Sequence, residues 1–148
     1  MAHWPNSDIY FKGALFINTL RHIVQDDEKW WAGVKSFTLT FKKQILTTVD
    51  VLNFFNDYFD YDFEKTFDQY LYFNHLPVLE TREKENTVEY WWKSDVAEFD
   101  MPIDVIIDGQ TLRLYPTVNK QKFHFKSHYK IETNKFYIKV NLTSNVDY

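Results

Sequence analysis

The spacing of the apolar residues changes once along this chain, at Pro77, and that change limits the fold more than any other feature. Before it, apolar residues recur every three or four positions, the period of a helix with one buried face. Ala14, Ile17, Leu20, Ile23 and Val24 form the first such stripe, and Ser7 or Asp8 is placed to accept from the free N–H groups of its first turn. The acidic run Asp26-Asp27-Glu28 suits the positive start of a second helix, which carries Trp30, Val34, Phe37 and Phe41 and ends in Lys42 and Lys43. Thr47-Thr48-Val49-Asp50 reads as a third capped start, followed by Val51, Leu52, Phe55, Tyr58 and Phe59. A fourth short helix begins at Asp62, with Phe63, Phe67, Tyr70 and Leu71 turned inward.

After Pro77 the period is two. Val88, Tyr90 and Trp92 alternate with Glu89, Trp91 and Lys93, and Phe123 and Phe125 with Lys122, His124 and Lys126. Phe136, Ile138 and Val140 alternate with Tyr137 and Lys139. Ile103–Ile107 and Thr111–Tyr115 flank Asp108-Gly109-Gln110, a hairpin signal because glycine tolerates positive φ. Several short strands at this spacing predict an antiparallel β-sandwich. The fold class expected is therefore α+β in two parts, helices over 1–79 and a sandwich over 80–148. Two cores are expected to meet near residues 76–84.

Composition narrows the function. The 148 residues hold 20% aromatics and 3 glycines, so the core must be built from flat rings and little glycine is left for phosphate-cradling loops. A formal net charge of -4 argues against a nucleic-acid partner, since phosphate binding needs a positive face. The charge is uneven: residues 1–80 carry 7 Lys+Arg against 11 Asp+Glu, and residues 81–148 carry 10 against 10. Cysteine is absent, which removes disulfides and thiolate chemistry. The first residues lack the basic start and apolar run of a signal peptide, and no apolar run approaches the ~18 residues of a membrane span. A soluble chain without membrane partners is expected, its compartment left open.

Most catalytic motifs fail on inspection. There is no Gly-x-Gly-x-x-Gly, phosphate loop or Gly-x-Ser-x-Gly elbow. The five histidines, His3, His22, His75, His124 and His128, include no His-Glu-x-x-His pair. His124 and His128 have helical ligand spacing but lie in strand-like sequence, where four residues span roughly 13 Å, too far for metal bonds of about 2 Å. Asp57, Asp60, Asp62 and Glu64 read as a solvated acidic surface. Asn141-Leu142-Thr143 is a glycosylation sequon, meaningful in a eukaryotic secretory context.

One segment carries a pattern. Ile9-Tyr10-Phe11-Lys12-Gly13-Ala14-Leu15 with Leu20-Arg21 resembles the "Tyr-x-Lys-Gly-Ala … Leu-Arg" helix of the zinc aminopeptidases typified by aminopeptidase N and leukotriene A hydrolase. Three further pieces resemble the same family in order. These are Asp27-Glu28-Lys29-Trp30-Trp31, Ile45-Leu46-Thr47-Thr48-Val49-Asp50, and Phe67-Asp68-Gln69-Tyr70-Leu71 with Leu76-Pro77-Val78-Leu79. Tyr70 stands where the family usually has Trp. The likeness covers about residues 8–80 and implies the helical half of a thermolysin-like catalytic domain, with the β-sandwich in the position of the family's next domain.

By that resemblance Tyr10 is the one catalytic candidate: the family tyrosine hydrogen-bonds the oxyanion of the tetrahedral intermediate. A phenol suits the role, because it donates one hydrogen bond and keeps its proton at neutral pH. Without the neighbouring pattern, Tyr10 reads as a half-packed tyrosine near a helix start. Lys12 reads as a solvated charge and Gly13 as a close-packing site. The family's zinc ligands lie before the tyrosine, so this chain is expected to hold no zinc, and zinc is expected in a longer parent.

The chain is thus expected to be an inactive fragment of a zinc-dependent aminopeptidase, whose partners are the zinc-bearing half of the parent and, within it, a peptide substrate. The alternative is a free-standing helical-plus-β binding or scaffolding module. A cut surface further predicts an exposed apolar patch around the first helix, with Phe11, Phe16 and Trp4 in it, open to self-association.

Overall fold

The computed structural model describes residues 8–144; the expectations for Ser7 and Trp4 fall outside them. Four helices come first: α1 Asp8–Val24, α2 Asp27–Thr40, α3 Thr48–Phe59 and α4 Glu64–Tyr72. Seven strands follow: β1 Val78–Lys84, β2 Thr87–Lys93, β3 Ile103–Ile107, β4 Gln110–Leu114, β5 Gln121–His124, β6 Tyr129–Ile131 and β7 Lys139–Ser144. The chain is α+β. No described helix is long and apolar enough to cross a membrane.

Local chemistry sets the helix limits. At α2 the Lys29 backbone N–H donates to the Asp26 carboxylate at 2.8 Å. At α3, Thr47 and Asp50 form a reciprocal capping box, and the Thr47 hydroxyl and backbone N–H hold the Asp50 carboxyl below its ordinary range. Asp60 closes α3 in the left-handed region at φ 53°, a conformation that an Asp side chain tolerates better than most. The Glu64 N–H opening α4 donates to Asp62 Oδ1 at 2.9 Å.

The strands form two sheets, in the orders β5-β2-β1-β7 and β4-β3-β6. Asp108 (φ 51°) and Gly109 (φ 85°) make the two-residue turn between β3 and β4, both in the positive-φ region that such a hairpin needs. The Asp108 carboxylate also accepts from the N–H groups of Lys126 and Ser127, each at 2.8 Å, and from the Ser127 hydroxyl at 3.0 Å. These donors pull its pKa down to about 2 and pin the chain beyond β5 to the hairpin tip.

Two details differ from a purely antiparallel sandwich. β7 runs parallel to β1, pairing Val78 with Lys139 through Glu83 with Ser144. The cause is the connection before it, which brings Phe136 into the core and delivers Lys139 beside Pro77, whose carbonyl accepts from its N–H at 3.0 Å. β7 therefore enters its sheet at the end where β1 enters. The alternating stretch Phe136–Val140 is accordingly strand only from Lys139 onward, because Phe136 is spent filling the core.

The change of secondary structure at Pro77 is not a change of core. The largest buried cluster takes Phe16, Leu20, Trp30, Phe55, Phe59, Phe67 and Tyr70 from the helices and Phe63 from the junction of α3 and α4. It continues through Leu79, Trp92, Phe99, Met101, Ile103 and Phe136. A smaller cluster of Val88, Tyr90, Val105 and Phe123 joins the two sheets face to face. Aromatic edges and faces supply most of the first contact set, including Trp30 stacked on Phe59 at 5.5 Å. Offset and edge-on ring pairs add to the burial of their area.

Candidate functional site

The buried face of α1 is Phe16, Thr19, Leu20 and Ile23, not the stripe through Ala14 and Ile17, which are exposed. Both sets recur at three and four, and spacing alone does not choose between them. Ring size does: Phe16, expected in the exposed patch, instead stacks on Tyr70 at 5.2 Å and meets Phe67 edge-on at 5.3 Å. Leu71, expected inside on α4, is exposed for the complementary reason, since Tyr70 takes the inward position and donates to the Tyr137 carbonyl at 2.6 Å. Burial pushes the Tyr70 phenol far above its ordinary pKa, so it is a neutral donor throughout.

The other end of α1 is held by a buried charge. The last-turn carbonyls of His22 and Ile23, which have no partner within the helix, accept from the Arg113 guanidinium at 2.6 and 2.8 Å. Arg113 Nε donates to Asp104 Oδ1 at 2.8 Å, and Lys135 Nζ to Asp104 Oδ2 at 3.1 Å. Burial would raise the Asp104 carboxyl; the hydrogen bonds from Arg113 and Lys135 outweigh it and hold the group below its ordinary range. Burial likewise lowers His22, with the charges of Lys135 and Arg21 acting in the same direction.

So fixed, α1 presents its opposite face outward. Tyr10 stands 76% exposed on its first turns, with a phenol able to donate to anything brought against the helix. Lys12 is not simply solvated: its ammonium reaches the Phe73 carbonyl beyond α4 at 3.4 Å. Gly13 was expected to sit under a neighbouring helix, yet a Cβ added there would meet nothing within 4 Å. Beside it runs an apolar groove of about 320 Å³ between α1 and α4, lined by Lys12, Gly13, Phe16, Tyr70 and Leu71.

The described histidines are dispersed. His124 Nδ1 lies 2.9 Å from the Thr87 hydroxyl, His128 Nδ1 lies 3.1 Å from Ser127 Oγ, and His75 Nδ1 lies 3.4 Å from Asp95. Among the described residues no three His, Asp or Glu side chains gather to hold a metal ion. The residues that sequence reasoning missed are Asp104 and Arg113. A turn of Asp108-Gly109-Gln110, as expected from the sequence, would set 104 opposite 114; the turn is Asp108-Gly109 alone, Gln110 opens β4, and 104 faces 113.

No protein-family model and no curated protein matches the chain.

Proposed function

We propose that this chain is the part of a zinc-dependent aminopeptidase that follows the zinc-binding segment, and that Tyr10 donates a hydrogen bond to the oxyanion of the tetrahedral intermediate. The observation that supports this most is the setting of Tyr10. Its phenol is free of the chain's own core, on a helix whose opposite face is anchored at Phe16 and again at Arg113. A transition-state donor needs that combination, because preorganisation is what lets a hydrogen bond favour the transition state over the substrate. In this reading the zinc and its ligands belong to the preceding segment of the parent, the substrate is the N-terminal end of a peptide, and β4 with the connection before β7 braces α1 from behind.

The test is made in the longer polypeptide. Its reading frame before residue 1 should encode a His-Glu-x-x-His helix, and Tyr10→Phe should lower kcat by about 10²–10³-fold with little change in KM. An upstream frame without zinc ligands, or a Tyr10→Phe enzyme with wild-type kcat, overturns the proposal.

A further inference from the structure

The connection between α2 and α3 forms the tip of a helical hairpin, and its composition is unlike that of the rest of the chain. Leu39 is the last residue but one of α2, Ile45 lies in the connection, and Val49 is the second residue of α3. At a rise of about 1.5 Å per residue, Leu39 and Val49 stand level with the connection itself. The three are 65%, 102% and 61% exposed. Lys42 and Lys43 lie between them, and Lys35 is set about one turn below Leu39. Residues 35–50 hold these three lysines against Asp50 alone, net +2, which leaves -6 on the remainder of a chain whose total is -4.

The described part of the chain makes no use of this composition. Among the described residues, 41–50 hydrogen-bond to nothing beyond α2, α3 and their connection, and no ion pair reaches Lys35, Lys42 or Lys43. The Asp50 carboxylate is turned back onto the Thr47 N–H and hydroxyl at 2.8 and 2.7 Å. Beneath the tip, Phe41 meets Phe37 at 5.1 Å and Phe54 at 5.7 Å, which ties the ends of the two helices together. The apolar residues are therefore held out on an ordered base.

Charge and area select the occupant. Apolar side chains held in water mark a protein or a membrane contact. A stable protein interface takes ~800 Å² from each partner, which three aliphatic side chains on a projecting tip do not supply, and protein interfaces are depleted in lysine. An anionic bilayer has neither requirement: it admits a small apolar projection at its headgroup boundary and attracts the lysines around it. We infer that the α2–α3 tip docks on an anionic lipid surface, with Ile45 entering the headgroup boundary and Lys35, Lys42 and Lys43 against the anionic headgroups. No described helix can cross a membrane, and the contact needs none, because the chain lies on the surface. Repulsion from the acids elsewhere is screened beyond about 10 Å at 0.1 M salt. Asp57, the next acid along α3, lies roughly 10 Å further from the tip than Asp50.

Co-sedimentation of the 148-residue chain with lipid vesicles tests the inference. The chain should bind vesicles of phosphatidylcholine mixed with phosphatidylserine, and bind phosphatidylcholine alone at least about tenfold more weakly. Raising the salt should release it from the mixed vesicles. Lys42→Ala and Lys43→Ala should each lower the partition coefficient about fivefold, and Ile45→Glu at least about tenfold. Because the Ile45 side chain is wholly exposed, circular dichroism and thermal unfolding of Ile45→Glu should match wild type. Ile17→Glu, at an exposed site on α1, should leave binding unchanged. A chain that ignores anionic vesicles, binds both lipids alike, or keeps its affinity in Ile45→Glu overturns the inference. So does binding that is lost in Ile17→Glu, which places the contact on α1, or binding that disappears in a longer polypeptide whose preceding segment covers the tip. The readout is lipid partition and requires no activity, so its failure is distinct from that of the Tyr10 kinetics.

Discussion

Arg113 and Asp104 face each other across the β3–β4 hairpin at 2.8 Å, almost wholly enclosed, and the same guanidinium closes the last turn of α1. One side chain thereby ties the helical half to the smaller sheet. Arginine suits the position because its planar fork spreads donors over three nitrogens, one toward the carboxylate and one toward each carbonyl, a reach that the single nitrogen of an ammonium lacks.

Arg113→Met should consequently be among the most damaging single changes in the chain. It leaves Asp104 buried with Lys135 as its one remaining cation and orphans the carbonyls of His22 and Ile23. Breaking a buried pair from one side costs about 3–5 kcal/mol. Urea unfolding should show a loss in that range, with Arg113→Lys recovering only part of it. The exposed pair Arg21–Asp27 is the control, and Arg21→Met should leave the midpoint near wild type. Equal effects at the two sites would show that the enclosed pair has no special weight.

Acid should unfold the protein through carboxylates that the fold holds ionised. Asp108 is pulled down to about 2 by its backbone and hydroxyl donors, and Asp104 is lowered by Arg113 and Lys135 against the pull of burial. Groups with a depressed folded pKa contribute stability that is complete above the unfolded value and lost as pH falls toward the folded one. Stability should thus be flat for these two groups from pH 7 to about 5, then fall between about 4 and 2. Asp108→Asn keeps a residue suited to the turn but removes both the titration and one of the two acceptor oxygens that hold Lys126 and Ser127, so the variant should be less stable at pH 7 and its acid limb shallower than wild type. An unchanged acid limb in that variant would remove Asp108 from the account.

The hairpin shows how much was legible. Asp108-Gly109 disclosed a turn, but counting Gln110 into it placed 104 opposite 114; the two-residue turn of the structure pairs 104 with 113. The capping box of Thr47 and Asp50 was legible in the same way, since both signals act within four residues. What was hidden depends on contacts far apart in the chain. Nothing near Phe136 shows that it leaves the strand pattern to fill a core shared with Tyr70. Nothing near Phe16 shows that its ring displaces Ile17 from the inward face. Tyr10 was legible as a residue to watch, but only the packing of Phe16 and Arg113 behind it shows why its phenol is left outward.

Two glycines should respond to alanine with opposite signs. At Gly33 a Cβ would lie 2.5 Å from Phe59 Cζ and 2.9 Å from Tyr58 Cε1, so α2 and α3 must move apart. Overpacking of that kind costs about 1–3 kcal/mol, more than the ~1 kcal/mol gained in helix propensity. At Gly13 the Cβ meets nothing, so the propensity gain stands alone. Thermal unfolding should therefore rank Gly13→Ala above wild type and Gly33→Ala below it. The reverse order would mean that the α2–α3 contact is looser than these distances imply.

The shared core leads to a last expectation, about cooperativity. Tyr70 of α4 donates to the Tyr137 carbonyl, and Gln69, fully buried, takes hydrogen bonds from the backbone N–H groups of Asp95 and Val96 at 3.0 and 3.2 Å. Its amide nitrogen meanwhile donates to the His75 carbonyl at 2.8 Å. Separating the helices from the strands would leave these groups without partners in an apolar setting, at about 1–3 kcal/mol for each unsatisfied one. It would also uncover Leu79, Trp92, Phe99 and Met101, each worth about 1.5–3 kcal/mol or more of burial. Those costs are comparable with the whole stability of a domain this size, so neither half should persist once the other has unfolded. Far-ultraviolet dichroism, dominated by the helices, and the separately resolved indole proton resonances of Trp91 and Trp92 in β2 should trace one coincident transition. Two resolved transitions, with the β2 tryptophans outlasting the helices, would show that the sheets possess a core sufficient for themselves.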